Sequence, residues 1–309
     1  MTQQEEQNTP EHPRERLGFI GLGDMGKLLA RRFLRAGYPL TVCDINPQAV
    51  AEFRDKGAEV AATPAEVASQ AEIVFACLPA PAVSEQVAFG EQGIVHGTAI
   101  RIYVETSTMG YATMRRIAEA LTPRNIALID SPTSGGPLGE ARGKLSCFIA
   151  TRPEIFERTR AILTAMSDRL FHIGETPGQS QVLKLSNNLL NAATMTLSSE
   201  MVLMAMRAGI DPNVAIDVIN ASTGRNRATE DLFKSQILNG AFATGARLEI
   251  LGKDVDLALV EAARLGTPHH AASAIRDIWD AAIRDGHGAE DYSNIFKFID
   301  QTYSTRPDA

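Results

Sequence analysis

Apolar residues fall along this chain in two different rhythms. From residue 17 to about 180, short, mainly apolar runs at 17–20, 40–43, 73–77, 100–104 and 126–129 alternate with helical patterns at 49–55, 64–69, 83–88 and 111–121. Runs so short and so largely apolar suit strands buried on both faces, and the helical stretches supply the crossovers that parallel pairing needs. A strand at 144–150, a helix at 153–166 and a strand at 169–173 extend the pattern. The expectation is an α/β domain with a doubly wound parallel sheet and helices on both faces.

The rhythm changes at Gly178. Residues 181–208 form one long helical pattern with neither Pro nor Gly, and Gly209 stands where a left-handed C-terminal cap is expected. After it, 212–221, 230–238, 253–265, 271–285 and 291–300 all read as helix, with Asp211-Pro212 as N-cap and first helical position. Residues 1–16 are polar, charged and interrupted by Pro, which predicts a flexible tail rather than a signal peptide. The predicted organisation is this tail, a sheet domain at 17–180 and an all-helical domain at 181–309, joined by the long helix. No run approaches the roughly 18 apolar residues that a bilayer span needs, so no membrane partner is expected.

Composition narrows the function classes. A length of 309 residues is comfortable for two domains, and a net charge of −7 without any basic run speaks against a nucleic-acid surface. Cys43, Cys77 and Cys147 each lie in or beside an apolar run and share no metal-ligand spacing. They are expected to pack, not to crosslink or bind metal, and such unpaired thiols suit a reducing cytoplasm. His269-His270 lacks an acidic or thiol partner nearby and reads as a cap or surface pair.

The first candidate chemistry lies directly after the first apolar run, at Gly21-Leu22-Gly23-Asp24-Met25-Gly26. Gly21 permits a sharp turn, Gly23 allows backbone to approach a pyrophosphate, and Gly26 allows close helix–strand packing. The following helix offers oriented N–H groups to the anion. Eighteen residues after Gly26, Asp44 ends the second run, where a carboxylate can accept the adenosine ribose hydroxyls. Asp44 repels a 2′-phosphate, and Ile45-Asn46-Pro47 brings no cation to offset it, so NAD is favoured and NADP left possible. Arg31 and Arg32, on the first helix, could complicate that preference.

Further candidates follow from position. Leu78-Pro79 and Thr106-Ser107-Thr108 end strands on the same sheet edge as the glycine turn, where nicotinamide-ribose contacts would lie, although each alone is an ordinary turn. Ser134-Gly135-Gly136, after the strand at 126–129, offers a hydroxyl and two approachable N–H groups to a carboxylate; an ordinary Gly/Pro turn is the plain alternative. Lys184 and Asn188 share one face of the long helix, with Asn191 continuing the polar stripe. Desolvation and a positive nicotinamide ring would both favour a neutral Lys184 able to act as a base, against the alternative of a solvated helix lysine. Glu249 and Asp254 are candidates for orienting the site, and Arg225, Arg227 and Arg247 for pairing with a second anionic group or simply for the surface.

Taken together and in this order, the motifs resemble the β-hydroxyacid dehydrogenase family over about residues 17–300. Residues 18–26 resemble its cofactor loop, Leu78, Pro79 and Thr108 its nicotinamide-side contacts, and Asp130-Ser-Pro-Thr-Ser-Gly-Gly136 its substrate motif. Lys184 and Asn188 resemble its catalytic lysine and substrate-binding asparagine, and Lys253-Asp254 its late pair, whose lysine reaches the cofactor. The resemblance implies a Rossmann-type domain followed by an all-α domain. It also implies a dehydrogenase moving hydride between NAD(H) and a small 3-hydroxy acid or semialdehyde, with a small carboxylate as substrate. Two positions depart from the family: Ser180 replaces the second glycine before the lysine, and Ala246 replaces an aromatic residue. Imine reductases use a similar scaffold but carry Asp or Tyr at the lysine position, and a non-catalytic NAD-binding module would have lost the lysine. Met195, Met201, Met204 and Met206 offer an apolar surface for a homo-oligomer, dimer or tetramer, unless they pack within the chain.

Overall fold

The computed structural model describes residues 15–304, so the tail expected at 1–16 lies almost wholly outside the described residues. The described residues form two compact units, one of 15–134 together with 143–180, the other of 135–142 together with 181–304. Residues 135–142 group with the helical unit and not with the sheet that surrounds them in sequence.

In the first unit, strands β1 (Leu17–Ile20), β2 (Leu40–Cys43), β3 (Glu59–Val60), β4 (Ile73–Ala76), β5 (Ile102–Glu105) and β6 (Ala127–Asp130) pair in parallel in the order β3-β2-β1-β4-β5-β6. That order places a topological switch point between β1 and β4, where such sheets bind ligands beyond their carboxyl ends. Helices α1 (Asp24–Arg35), α2 (Pro47–Arg54), α3 (Pro64–Gln70), α4 (Pro81–Phe89) and α5 (Tyr111–Leu121) form the crossovers. Strands β1, β2, β4 and β5 are buried along their whole length because alternate residues serve two cores. Phe19, Phe75 and Val104 pack with Leu29 and Phe33 on one face, while Ile20, Val74, Ala76 and Tyr103 pack with Val67, Met114 and Ile117 on the other. Each fully buried Val, Leu, Ile, Phe or Met side chain among them contributes roughly 1.5–3 kcal/mol.

The sheet is not parallel throughout. β7 (Thr133–Ser134) and β8 (Ser146–Ala150) run antiparallel to one another, and β6 meets β8 antiparallel as well. The connection between β7 and β8 holds only the six-residue helix α6 (Gly136–Ala141), too little chain for a face-covering crossover. Parallel pairing resumes between β8 and β9 (Arg169–Gly174) across the fourteen-residue helix α7 (Pro153–Met166). Several helices start earlier than the sequence pattern predicts, since Pro47 and Pro81 occupy first helical positions, where the missing N–H costs nothing.

The second unit is helical. Helix α8 (Gln179–Arg207) closes with Gly209 at φ +80, whose N–H donates to Met206, while the Ile210 N–H donates to Ala205. This is a Schellman cap, as Gly209 predicts. Asp211 caps α9 (Pro212–Asn220) through the Asn213 N–H. Residues 228–237 wind as a π-helix rather than an α-helix, because the buried residues come in pairs four apart: Ala228/Thr229, Leu232/Phe233 and Gln236/Ile237. A wider turn keeps such pairs on one face. Helices α10 (Leu248–Leu265), α11 (His270–Ala282) and α12 (Ile295–Ser304) complete the unit, α12 being preceded by a 3₁₀ turn at Tyr292–Asn294.

By length and composition alone α8 is long and apolar enough to cross a bilayer, contrary to the expectation that no segment is. It is a core helix: Ala192, Met195, Val202 and Leu203 pack with Phe233, Val255 and Trp279, and the Trp279 indole donates to Thr196 Oγ1 at 2.9 Å. Met195 is thus core, whereas Met201, Met204 and Met206 are exposed.

Candidate active site

The glycine turn has the geometry that its spacing predicts. Gly21 adopts φ +92, and a Cβ there would stand 2.2 Å from the Cys77 carbonyl oxygen. A Cβ on Gly26 would lie 1.9 Å from the Gly21 carbonyl oxygen, so α1 meets the turn too closely for any side chain. Gly23 differs, for a Cβ there meets nothing within 4 Å. It forms the N-cap of α1 with no side-chain cap, leaving first-turn N–H groups for an anion. An exposed, uncapped helix start behind a glycine with open space fits a dinucleotide pyrophosphate.

Asp44, at the tip of β2, accepts the Leu22 N–H at 2.5 Å through one oxygen and the Asn46 N–H at 2.6 Å through the other. Its carboxylate is therefore locked beside the turn, and its remaining lone pairs can take ribose hydroxyls. Asp24 pairs with Lys27 at 2.9 Å, and Met25 packs on the core. Neither points to a specific ligand role. The helix cations are engaged: Arg32 makes two 3.2 Å bonds to Asp168, and Arg31 pairs with Glu52 at 2.5 Å.

At the neighbouring strand ends, the Leu78 N–H donates to Ser107 Oγ at 2.7 Å, and that hydroxyl donates to Glu105 Oε1 at 2.5 Å. The Ser107 N–H and the Tyr103 hydroxyl also donate to Glu105, each at 3.1 Å. Burial raises the Glu105 carboxyl above its ordinary range, against the hydrogen bonds from Ser107 that lower it. Pro79 is exposed and Thr108 half-buried in the same pair of loops. Sequence reading missed Glu105; an acid closing the otherwise apolar strand Ile102-Tyr103-Val104 was the available signal. The thiols are packing groups as expected, burial pushing Cys43, Cys77 and Cys147 up to about 11, about 12 and about 11.

The substrate-motif residues divide between the two units after Ser134. Ser134 sits in β7 opposite Ser146, and Asp130 accepts the Gly178 N–H at 2.8 Å, tying the end of β6 to the loop before α8. Gly135 and Gly136 take φ +126 and +60, which direct two successive N–H groups in a way that a side chain would resist. Ser180 is fully buried, and its hydroxyl has no hydrogen-bond partner among the described residues.

Within the helical unit Lys184 is buried, at 7% exposure. One turn on, Asn188 donates through Nδ2 to Asp254 Oδ2 at 2.6 Å, and Lys253 Nζ lies 3.1 Å from Asp254 Oδ1. Asp254 therefore orients the asparagine, whereas Glu249 turns to Arg247 at 2.5 Å. Of the three candidate arginines only Arg227 joins this face of α8, donating to Asn191 Oδ1 at 2.8 Å. Arg225 pairs with Glu230 at 3.5 Å. Beside Ala246, Thr244 and Gly245 are tied to Asp291 at 2.8 and 2.9 Å.

A largely parallel sheet with this strand order, a glycine turn shaped for a pyrophosphate and an acid at the second strand tip define a dinucleotide-binding domain. Residues 16–174 match the family model of the NAD binding domain of 6-phosphogluconate dehydrogenase, and residues 178–299 that of NADP-dependent 3-hydroxyisobutyrate dehydrogenase. The chain is 30% identical over 290 residues to 3-hydroxyisobutyrate dehydrogenase of Pseudomonas aeruginosa, covering 91% of this chain and 97% of that one. It is 28% identical over 287 residues to 2-(hydroxymethyl)glutarate dehydrogenase of Eubacterium barkeri, covering 93% and 95%. The crystal structure of a 3-hydroxyisobutyrate dehydrogenase from Salmonella typhimurium superposes with a TM-score of 0.80 at 29% identity, over 92% of this chain and 99% of that one. The chain belongs to the β-hydroxyacid dehydrogenase family.

Proposed function

We propose that this enzyme oxidises a small 3-hydroxy acid, or reduces the matching semialdehyde, with Lys184 as the general acid/base and NAD(H) preferred to NADP(H). The observation that carries the reading is the triad on α8 and α10: a buried Lys184, Asn188 one turn along, and Asp254 holding the Asn188 amide at 2.6 Å. Ser134 and the Gly135 and Gly136 N–H groups, with Asn188, hold the substrate carboxylate. Lys184 takes the proton from the substrate hydroxyl as the carbonyl forms, and returns it in the reverse direction. Bound NAD⁺ supplies the hydride acceptor. Leu78, Pro79, Thr108 and Lys253 contact the nicotinamide half of the coenzyme, and Asp44 the adenosine ribose.

The assignment is tested with a panel of hydroxy acids, read by reduced-nicotinamide absorbance with NAD⁺ and NADP⁺ in parallel, on the wild type and Lys184→Ala. General acid/base groups contribute roughly 10²–10⁴-fold, so the variant should lose activity on that scale while still binding coenzyme. Nearly unchanged turnover would remove Lys184 from the chemistry.

A second property belongs with this reading. Leu183, Leu190, Leu197 and Met204 recur every seven residues along α8 and are all exposed, as are Val214 and Val218 on α9. A heptad stripe of that kind suits packing against a second copy of the chain, which supports a homo-oligomer. Light scattering of the purified protein measures its state directly, and a monomer would refute the interface. The unpaired thiols support a reducing compartment.

A further inference from the structure

The first unit holds a cavity of about 270 Å³ beside the glycine turn, bordered by Gly23, Lys27, Asn46, Gln48 and Glu52. Two of its borders, Leu22 and Asn46, are the residues whose N–H groups fix Asp44. The cavity therefore lies beside the carboxylate proposed to hold the adenosine ribose. Lys27 lines the cavity, Arg31 and Lys56 reach its Glu52 border, and each of the three is already paired. Lys27 pairs with Asp24 at 2.9 Å, while Glu52 accepts from Arg31 at 2.5 Å and also from Lys56. One carboxylate thus occupies two cations of the kind that bind phosphate, including the guanidinium fork best matched to it.

We propose that Glu52 is a coenzyme-specificity residue: by holding Arg31 and Lys56 it denies a ribose 2′-phosphate its counter-charges and so selects NAD over NADP. The inference rests on the reading of this turn as the coenzyme site and assigns discrimination to a residue beyond Asp44. Three carboxylates, Asp24, Asp44 and Glu52, offset three cations, Lys27, Arg31 and Lys56, so the cavity gives a dianion no net attraction. The hydrogen bonds from Lys56 and Arg31 hold the Glu52 carboxyl down to about 2, so the clamp stays charged throughout the working pH range. Neutralising Glu52 leaves two cations free to turn toward the cavity, while nearby Asp24 stays engaged by Lys27 and Asp44 by two N–H groups. Discrimination of this kind depends on pairing and not on a lack of basic residues.

The test is calorimetric titration of the wild type, Glu52→Gln and the double variant Arg31→Gln/Glu52→Gln with ADP-ribose and with adenosine 2′,5′-bisphosphate. Glu52→Gln should bind the 2′-phosphorylated nucleotide about tenfold more tightly, as expected for one new charge-assisted phosphate contact, with ADP-ribose affinity unchanged. The double variant should lose most of that gain, because the released Arg31 supplies it. An unaltered affinity ratio in Glu52→Gln, with ADP-ribose still bound, overturns the proposal and leaves the coenzyme site standing. A gain that survives in the double variant also overturns it, since the clamp would then not act through Arg31. Failure of the wild type to bind either nucleotide removes the coenzyme site and the proposal together, whatever Lys184→Ala shows.

Discussion

Asp254 accepts the Asn188 amide at 2.6 Å while Lys253 approaches its other carboxylate oxygen to 3.1 Å. One buried acid on α10 thereby fixes which side of the Asn188 amide donates, and holds a lysine beside it. Asn188 and Lys184 lie on the same face of α8, so the acid sets the geometry of the polar group one turn from the proposed acid/base.

Removing that acid should act on substrate binding before chemistry. Asp254→Ala is expected to lower kcat/KM roughly tenfold or more, since a hydrogen bond to a charged group contributes about 1.5–3 kcal/mol. Most of the loss should appear in KM, and Asp254→Asn should recover part of it by still accepting from Asn188. Steady-state kinetics of both variants decide the matter; an unchanged KM in Asp254→Ala would leave Asn188 without a role in binding.

The three glycines of the turn should respond differently. Gly26→Ala places a Cβ 1.9 Å from a backbone oxygen, so the fold must shift, at a cost of about 1–3 kcal/mol or more. Gly23→Ala meets nothing within 4 Å and has an ordinary φ of −64, so the free protein should keep its stability. If the turn holds the pyrophosphate as proposed, the added methyl group intrudes on that site, and NAD⁺ affinity should fall by roughly tenfold or more. Denaturant unfolding and coenzyme titration of the two variants separate the roles; equal stability losses would contradict them.

Glu105 gives the enzyme a pH-dependent stability of unusual sign for an acid. Burial raises its pKa above the ordinary 4.5, so the folded chain binds this proton more tightly than the unfolded one. The contribution is complete below 4.5 and is lost as the pH rises through the folded-state value. Glu105→Gln, which keeps an acceptor for Ser107, should therefore gain stability relative to the wild type between mildly acidic and neutral pH. Urea unfolding across that range checks this, and parallel profiles for the two proteins would disprove it.

How much of this was legible beforehand depends on how local the cause is. The glycine turn, Asp44 and the Lys184–Asn188 stripe were readable because spacing along a strand–turn–helix or on one helix face fixes proximity. Gly209 announced its Schellman cap for the same reason. The antiparallel β7–β8 pair was not readable, since it follows from a connection too short for a crossover. The π-helix at 228–237 was hidden because a period near four differs little from an α-helical one over ten residues. Glu52 escaped because its Arg31 partner lies on another element, and Glu105 because its burial depends on the elements packed around the strand end.

By itself, the sequence determined the alternation of buried strands and helices, the dinucleotide turn, the change to an all-helical second half and the residue types available for chemistry. Those properties arise from patterns within a few turns of backbone. Only the tertiary structure decided which charges are already paired: Arg31 by Glu52, Arg32 by Asp168, and the Asn188 amide by Asp254. Pairing depends on side chains brought together from separate elements, and it is pairing that separates a cation able to meet a phosphate from one held away from it.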